Sequence, residues 1–337
     1  MEKFLLGCDW GTSTFRLQLL DIAELRVVGE VLSKEGIAGM HEKWKAIIGQ
    51  NKAGKKSQLF RSYLKKQIEL LSAKLSVDLD NITIVISGMA SSSIGMEDVP
   101  YTMVPFALDG SQTIIKHMDL EENFSHEIIL VSGVRSQKDV MRGEETQLIG
   151  LLSLLELSGS KPEEGILIFP GTHSKHIYIQ NGQLTNFRTF MTGELFNVMC
   201  NHSILKDSVQ TGELGSFSEM DAIGFKLGLK DSQEAGILNG LFRVRTNQLF
   251  NRLSKKQNFF YLSGLLIGAE IIYLLENEDM PLLLCSGSNL YGFYKTALEE
   301  LNLSGRTTII PIDLVDKAAL AGQNVIYQNY KLNELAR

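Results

Sequence analysis

A strand–turn–strand segment near the start of the chain recurs in its second half in the same register. The first copy covers residues 6–21 and the second residues 166–181, with Gly11-Thr12 aligned on Gly171-Thr172. Each copy is an apolar strand, a tight turn rich in glycine and hydroxyl side chains, and a strand that alternates with period two. Two such turns facing each other can form a clamp of backbone N–H groups and hydroxyls that suits phosphate.

The two copies differ at the position just before the turn. The first copy has Asp9 there and the second has Phe169. A carboxylate can recruit a cation such as Mg²⁺, whereas a phenyl ring cannot. The sequence therefore predicts one turn with a metal and one without.

Length and charge limit what the chain can be. With 337 residues it can form two domains, and 44% hydrophobic with 21% charged residues is typical of a soluble globular protein. A net charge of −6 argues against nucleic acid or an anionic membrane as the main partner. No apolar run approaches the roughly 18 residues of a transmembrane helix, and the first strand begins too early for a signal peptide. Cys8, Cys200 and Cys285 lack metal-ligand spacing, which favours reduced core thiols and the cytoplasm.

Periodicity indicates two halves, each with three meandering strands followed by alternating helices and strands. Beyond the two hairpins, strands are predicted at 26–32, 82–86, 128–131, 282–285 and 307–310. Helices are predicted at 43–75 (interrupted at 50–57), 144–157, 221–228, 236–253, 261–275, 291–301 and 316–330. The breaker at 159–162 predicts domains at 1–160 and 161–337, packed with an interdomain cleft where ligands would bind.

The duplicated unit with Asp-x-Gly-Thr in its first turn resembles the actin-like ATPase superfamily. Further blocks narrow the resemblance, in family order, to the 2-dehydro-3-deoxygalactonokinases; they cover residues 8–16, 139–147, 170–175, 190–196, 202–205 and 262–270. The resemblance implies an α/β fold of two ribonuclease H-like domains. It also implies a kinase that uses ATP and Mg²⁺ to phosphorylate the 6-hydroxyl of 2-dehydro-3-deoxy-D-galactonate in galactonate catabolism.

The two turns supply the expected ATP contacts. In the first turn Asp9 would hold Mg²⁺, and the phosphate contacts are Gly11, Thr12, Ser13 and Arg16. In the second turn the contacts are Gly171, Thr172 and Ser174, with His173 and Lys175 as candidates to add charge. The resemblance places the adenosine at Ser286, Gly287 and Ser288. The alternative interpretation of that last segment is a helix N-cap by Ser288 or Asn289.

Two carboxylates are candidates for the general base. In related sugar kinases this residue lies at the start of the helix that links the domains, which implies Glu144 first and Asp139 second. A helix N-terminus favours the ionised form of a carboxylate and so keeps it able to accept a proton. The alternative is that Glu144 and Glu145 only satisfy the helix dipole.

The hydroxyl-rich loop after the strand at 82–86 is the candidate sugar-acid site, because ligands bind at the carboxyl ends of parallel strands. The residues concerned are Ser87, Gly88, Met89, Ser91 and Ser93. The family usually has arginine where Ser93 stands and tryptophan where Met96 stands, so the identity of the acid is open. Arg142 could bind the substrate carboxylate instead. The alternative is a flexible serine-rich turn.

Other functions remain as alternatives. A kinase of a different sugar acid or polyol would share every motif. A nucleotide-driven conformational protein usually carries an extra client domain or large interface insertions, and a sugar-binding regulator would need an added DNA-binding region. None of these is visible in the sequence. A small-molecule sugar acid is thus the expected partner, with a homodimer as one option for assembly. Thr192-Gly193-Glu194 has no explanation beyond the family match.

Overall fold

The computed structural model describes residues 3–49, 55–211, 219–276 and 279–335. The first elements are β1 Phe4–Trp10, β2 Phe15–Asp21, β3 Arg26–Ser33, α1 Ile37–Gly49, α2 Lys56–Leu75, β4 Ile84–Gly88, β5 Thr102–Met103, β6 Phe106–Ala107, β7 Ile115–Met118, β8 Ile128–Val131, β9 Val134–Arg135, β10 Val140–Met141 and α3 Glu144–Leu157. Residues 50–54 of the predicted interruption at 50–57 lie outside the described residues.

The remaining elements continue in the same order. They are β11 Glu164–Phe169, β12 Ser174–Gln180, β13 Gln183–Phe190, α4 Thr192–His202, α5 Glu219–Glu234, α6 Gly236–Leu249, α7 Lys255–Ile271, β14 Leu282–Leu284, α8 Ser288–Glu300, β15 Thr307–Ile309 and α9 Ile312–Leu335. The predicted strands and helices are confirmed, with shifted ends. The short strands β5, β6, β7, β9 and β10 and the helix α4 are additional.

These elements form two compact units. One comprises residues 1–163, 180–186 and 313–337, and the other residues 164–179 and 187–312. The first unit therefore contains two segments that a linear division at 160/161 assigns to the second half: the tip of the β12/β13 hairpin and nearly all of α9. Within the first unit, Gln183 and Leu184 of that tip pair with β6.

Glycines on three elements explain why α9 belongs to the first unit, because they allow it to pack closely. A Cβ on Gly7 of β1 would lie 2.2 Å from Leu320 of α9. A Cβ on Gly150 of α3 would lie 1.9 Å from the carbonyl oxygen of Ala318, and one on Gly322 would lie 1.9 Å from that of Thr146. Helices α3 and α9 thus touch backbone to backbone, a contact between residues far apart in sequence that local pattern does not predict.

The six-stranded sheet of the first unit has the order β3-β2-β1-β4-β8-β7. β1 pairs antiparallel with β2 and parallel with β4, so Asp9 lies between Arg16 and Ser87. Apolar side chains of one sheet face pack against α1 and α2. The side chains of α2 in this core include Leu59, Tyr63, Ile68 and Leu71, the set predicted to share a helix face. A second small sheet has the order β10-β9-β5.

In the second unit the strand order is β15-β14-β11-β12-β13. Helices α5 and α7 cross closely, because a Cβ on Gly228 or Gly264 would lie 2.0 Å from a carbonyl oxygen of the facing helix. The prediction that small residues of α7 permit close packing is confirmed.

Helix α7 and the turn that follows it, Lys255–Glu276, are long and apolar enough to cross a bilayer. Two thirds of the most apolar window, 67%, is buried within the protein. A buried core helix passes the same test of length and composition, so this feature is weak support for a membrane span. The three cysteines are buried free thiols, as predicted.

Candidate active site

The first turn and the start of α1 are bonded to each other. The N–H of Gly11 donates to the carbonyl of Thr14 at 2.9 Å, which closes the turn. The carbonyls of Gly11 and Thr12 accept from the N–H groups of Ile37 and Ala38, each at 3.0 Å. Two of the N–H groups that a helix start leaves without intrahelical partners are thereby satisfied. The turn consequently has a fixed backbone.

This close contact needs a glycine in the segment that leads into α1. A Cβ on Gly36 would lie 2.2 Å from the carbonyl oxygen of Thr12. On the other side of the turn the side chains of Thr12 and Ser13 are exposed. The turn thus presents both hydroxyl side chains to solvent while its carbonyls face α1.

Asp9 lies at the end of β1 among charged neighbours. Burial raises the pKa of its carboxyl to about 6; Arg16 on the adjacent strand lowers that pKa, and Glu144 raises it. Glu144 is thus close enough for its charge to act on Asp9. The structure brings together the predicted metal ligand and the first-choice general base.

Two glycines with positive φ bring the start of α3 to the end of β4. Gly88 has φ of 88° and Gly143 has φ of 110°. A Cβ on Gly143 would lie 3.3 Å from the Cα of Gly88. At this junction Glu144 is half-buried, and its Oε2 accepts a hydrogen bond from the N–H of Arg142 at 3.1 Å.

Glu145 has a different environment from Glu144. Its side chain is fully buried, and both of its oxygens accept from the N–H of Gly143, at 2.9 and 2.7 Å. Burial, together with the nearby Glu144, raises the pKa of Glu145 to about 8. Both glutamates therefore bond to N–H groups at the start of α3, as the dipole interpretation predicts, and Glu144 in addition lies near Asp9.

The second candidate base, Asp139, lies in a local turn. Its Oδ1 accepts from the N–H of Val140 at 2.7 Å, and its own N–H donates to Ser136 Oγ at 3.0 Å. The charges that perturb the pKa of Asp9 are those of Arg16 and Glu144. Of the two candidates, Glu144 is the one that directly follows Gly143, which packs on Gly88 beside Asp9.

The donor set around Asp9 fits Mg²⁺. Two neighbouring carboxylates, of Asp9 and Glu144, are partly balanced by Arg16, and a cation would relieve the repulsion between them. Among the described residues no group of three or more histidine, cysteine or carboxylate side chains forms a metal cluster. Mg²⁺ commonly binds one or two carboxylates and completes its shell with water and substrate phosphates.

Arg142 braces the loop that follows β4. Its Nη1 donates to Ser91 Oγ at 2.6 Å, its Nη2 donates to the carbonyl of Val99 at 3.2 Å, and the guanidinium lies 4.1 Å from the ring centre of Tyr101. Ser91 Oγ in turn donates to the carbonyl of Val131 at 2.5 Å. Arg142 and Ser91 are thus engaged by protein groups, and the hydroxyl-rich loop is an ordered structure with a buried hydrogen-bond network.

The other residues predicted to bind substrate differ in exposure. Ser87 is buried, and its Oγ accepts from Gln323 Nε2 of α9 at 2.8 Å. Met89 is half-buried against the apolar core of the first unit. Ser93 is exposed, and its carbonyl accepts from Lys56 Nζ at 2.9 Å. Met96, where the family usually has tryptophan, is a buried core residue, so that departure affects packing.

The second turn is closed by the side chain of Ser174, which is fully buried. Ser174 Oγ accepts from the N–H of Gly171 at 3.3 Å and lies 3.0 Å from the hydroxyl of Tyr294. Lys175 is also buried, and its Nζ donates to the carbonyl of His173 at 2.9 Å. Thr172 and His173 are exposed at the tip. The ammonium group of Lys175 therefore lies inside the turn, where it is bonded to the backbone.

Helix α4 begins against this second turn. The N–H of Glu194 donates to the carbonyl of Thr172 at 3.0 Å, and its carboxylate hydrogen-bonds with Nε2 of His173. A Cβ on Gly193 would lie 2.6 Å from the carbonyl oxygen of Gly171. Thr192-Gly193-Glu194 is thus the segment on which the turn rests. The only sequence signal for this contact was the family match.

The predicted adenosine segment follows β14. Ser286 is buried and its Oγ bonds to the carbonyl of Gly287 at 3.0 Å, whereas Gly287 and Ser288 are exposed. A Cβ on Gly287 would meet nothing within 4 Å, so one side of this turn is open. The N-cap of α8 is Gly287, without a side-chain cap bond. The alternative of a cap by Ser288 or Asn289 is wrong.

Two residues that organise the site were given no role in the sequence predictions. Gln323 donates from Nε2 to the carbonyl of Cys8 as well as to Ser87 Oγ, and its position in the amphipathic α9 gave no signal. Glu270 accepts bonds from Thr192, Tyr294 and His176. A lone carboxylate in the apolar sequence of α7 is a recognisable signal for a buried network.

The topology of each unit, a three-stranded meander continued by parallel strands, is that of the actin-like ATPase fold. Within that fold class, the family match and the named relatives identify a carbohydrate kinase. The model of the 2-keto-3-deoxy-galactonokinase family matches residues 9–323, and the chain belongs to that family.

Individual relatives agree. A protein of Rhizobium meliloti (strain 1021), named as a probable 2-dehydro-3-deoxygalactonokinase, is 33% identical over 332 residues, which is 95% of each chain. The 2-dehydro-3-deoxygalactonokinase of Escherichia coli (strain K12) is 31% identical over 226 residues, 65% of this chain and 70% of that one. A crystal structure from Sinorhizobium meliloti with the same assigned name has a TM-score of 0.72 at 28% identity and covers 96% of each chain.

Proposed function

We propose that this protein transfers the γ-phosphoryl group of ATP to the 6-hydroxyl of 2-dehydro-3-deoxy-D-galactonate, a step of galactonate catabolism. Family membership supports the substrate. The observation that carries the chemistry is the proximity of the start of α3 to Asp9: Gly143, next to Glu144, packs on Gly88, and a Cβ on Gly88 would lie 3.4 Å from Asp9 Oδ1. We further propose that the protein acts in the cytoplasm, where buried thiols such as its three cysteines stay reduced.

In this proposal the first turn binds the ATP phosphates through the exposed hydroxyls of Thr12 and Ser13 and nearby backbone N–H groups. Asp9 holds Mg²⁺, which would neutralise charge on the transferred group and on the leaving phosphate. Arg16 keeps Asp9 available in its ionised form, because its positive charge lowers the pKa of that carboxyl. Asp9 thus contributes the negative charge that would bind the metal.

The second turn also binds phosphate in this proposal, through the backbone of Gly171 and Thr172 and the exposed tip at His173. Lys175 contributes indirectly, since its ammonium stabilises the carbonyl of His173. The open side of Gly287 accepts the adenosine. A nucleotide held at these segments would need few covalent contributions from the protein, because phosphoryl transfer depends on position and charge.

Glu144 is the proposed general base, and the loop after β4 is the proposed site for the sugar acid. Arg142 shapes that loop, since its guanidinium is already bonded to Ser91 and Val99. Lys56 Nζ lies at the carbonyl of Ser93, at the position where the family usually has arginine. We propose that Lys56 supplies the positive charge that the substrate carboxylate requires there.

A panel of sugar acids tests the function. Purified protein is given ATP, Mg²⁺ and one acid at a time, ADP release is followed, and the product is examined by ³¹P and ¹³C NMR. We expect turnover with 2-dehydro-3-deoxy-D-galactonate and phosphate at C6. The Asp9→Asn variant serves as the control against a contaminating kinase and should lose at least about 10²-fold in kcat. Turnover only with a different acid or polyol would reject the substrate, and none with any acid would reject the activity.

A further inference from the structure

A buried carboxylate at the end of α7 has no role in the proposed chemistry. Glu270 is 2% exposed. Its Oε2 accepts from Tyr294 at 2.8 Å and from Thr192 at 2.5 Å, and its Oε1 accepts from His176 Nε2 at 3.2 Å. Burial of a carboxylate is costly unless donors surround it. Here the donors come from three different elements, α8, α4 and β12, so Glu270 fixes the positions of all three.

The hydrogen bonds continue from Glu270 to the second turn. Burial and the Glu270 carboxylate hold the pKa of Tyr294 well above its usual range, so the phenol stays protonated and donates to Glu270. Its oxygen can then accept from Ser174 Oγ, 3.0 Å away, and Ser174 Oγ accepts from the N–H of Gly171. The hydrogen bonds therefore all donate in the same direction, from the N–H of Gly171 through Ser174 and Tyr294 to the Glu270 carboxylate.

A second connection reaches the same turn through α4. Thr192, the first residue of α4, donates to Glu270. The next two residues support the turn directly: Gly193 lies against the carbonyl of Gly171, and the N–H of Glu194 bonds to the carbonyl of Thr172. Both sides of the turn thus depend on one carboxylate.

Tyr294 also relates the turn to the proposed adenosine segment. It belongs to α8, which starts at Ser288 directly after Ser286-Gly287. Its hydroxyl bonds both to Glu270 and to Ser174 of the turn. The orientation of α8 and the geometry of the phosphate turn are therefore set by the same pair of hydrogen bonds.

We propose that Glu270 is a positioning residue for ATP, which acts through Tyr294 and Thr192 to hold the turn at 171–174 and helix α8 in the geometry that binds nucleotide. This inference rests on the proposed function, because it requires that the turn binds ATP phosphates. It explains why two sequence blocks far apart, 190–196 and 262–270, belong to one site: Thr192 of the first donates to Glu270 of the second.

The test is the effect of Tyr294→Phe on the two Michaelis constants. Loss of the hydroxyl removes the hydrogen bonds that connect Ser174 to Glu270, so the KM for ATP should rise about tenfold. The KM for the sugar acid should stay within about twofold of wild type. Tyr261→Phe is the matched control. Tyr261 is another fully buried tyrosine of the second unit, and it donates to a carboxylate, Asp231, at 2.6 Å. This control should lower Tm without changing the KM for ATP.

A second pair of variants covers the case in which Tyr294→Phe does not fold. Thr192→Val removes the other donor to Glu270 and should also raise the KM for ATP, whereas Thr192→Ser keeps the hydroxyl and should restore it. If wild type shows no ATP-dependent turnover, the proposed function fails. If wild type is active but Tyr294→Phe and Thr192→Val keep the wild-type KM for ATP, or change it no more than Tyr261→Phe does, the inference is overturned and the function stands.

Discussion

Asp9 and Glu144 are neighbouring carboxylates held by different contacts. Asp9 is fixed in β1 beside Arg16 and Ser87, whereas Glu144 is bonded to the backbone N–H of Arg142 at the start of α3. A metal ligand must stay ionised, and Arg16 favours that state of Asp9. A general base must reach the substrate hydroxyl, and a half-buried side chain at a helix start can do so. These contacts support the proposed roles of Asp9 as metal ligand and Glu144 as general base.

Replacement of the proposed base gives the sharpest kinetic prediction. Glu144→Gln keeps the shape of the side chain but cannot accept the proton, so kcat should fall by about 10²-fold or more. Asp139→Asn is the comparison, and it should stay near the wild-type rate because Asp139 bonds within its own turn. Steady-state rates at saturating ATP decide between them. A large loss in Asp139→Asn alone would transfer the role to Asp139.

Glu145 should make stability depend on pH. Its pKa is raised to about 8 in the folded protein, against about 4.3 in an unfolded chain. Because the pKa is raised, the stability that the protonated Glu145 carboxyl contributes is fully present below about pH 4.3. It is lost as the pH rises through 8. Wild type should therefore lose up to about 1.4 kcal/mol per pH unit over that window, relative to Glu145→Gln.

Urea unfolding of both proteins between pH 5 and pH 9 measures this difference. Parallel curves for wild type and Glu145→Gln across the range would show that two donors, the N–H of Gly143 and the hydroxyl of Thr146, keep Glu145 ionised despite its burial.

Helices α3 and α9 depend on glycines where they cross. Gly322→Ala would place a Cβ 1.9 Å from the carbonyl oxygen of Thr146, so the variant should lose about 1–3 kcal/mol of unfolding free energy or more. Gly292→Ala in α8 is the control. A Cβ there meets nothing within 4 Å, and alanine in a helix interior should add roughly 0.5–1 kcal/mol. Equal effects of the two changes would show that α3 and α9 do not touch as described.

Elements whose signals are local were predicted well from the sequence. The hairpins follow from strict alternation and from turn residues such as Asn181-Gly182, and α3 has the predicted bounds because Gly143 and Ser158 end its pattern on both sides. Helix α4 was missed, since its start is set by contacts with the turn at 171–174. The same limit applies to the site: the two turns are visible as motifs, whereas Gln323 and Glu270 act through distant partners.

The last helix of the first unit is α9, which lies in the C-terminal part of the sequence. Seven residues of α9 are buried: Ala318, Leu320, Gly322, Gln323, Asn324, Ile326 and Tyr327. A division of the sequence at 160/161 does not include this helix in the first half, because its membership is decided by packing on β1 and α3.

Removal of α9 should therefore unfold the first unit. In a chain that ends at residue 311, limited proteolysis with mass spectrometry should show cleavage throughout residues 1–163 and protection of residues 219–276. A chain that ends at Tyr330 keeps every buried residue of α9 and should resist proteolysis as wild type does. Protection of residues 1–163 in the shorter chain would contradict the described packing.

In the proposed function, two turns contact the bound ATP: Gly11–Ser13 and Gly171–His173. A crystal structure with a non-hydrolysable ATP analogue and Mg²⁺ tests this most directly. We predict that both turns contact the triphosphate and that the adenine lies beside Gly287. We also predict that Asp9 binds the metal directly or through one bridging water. A triphosphate bound away from either turn, or a metal remote from Asp9, would contradict the account.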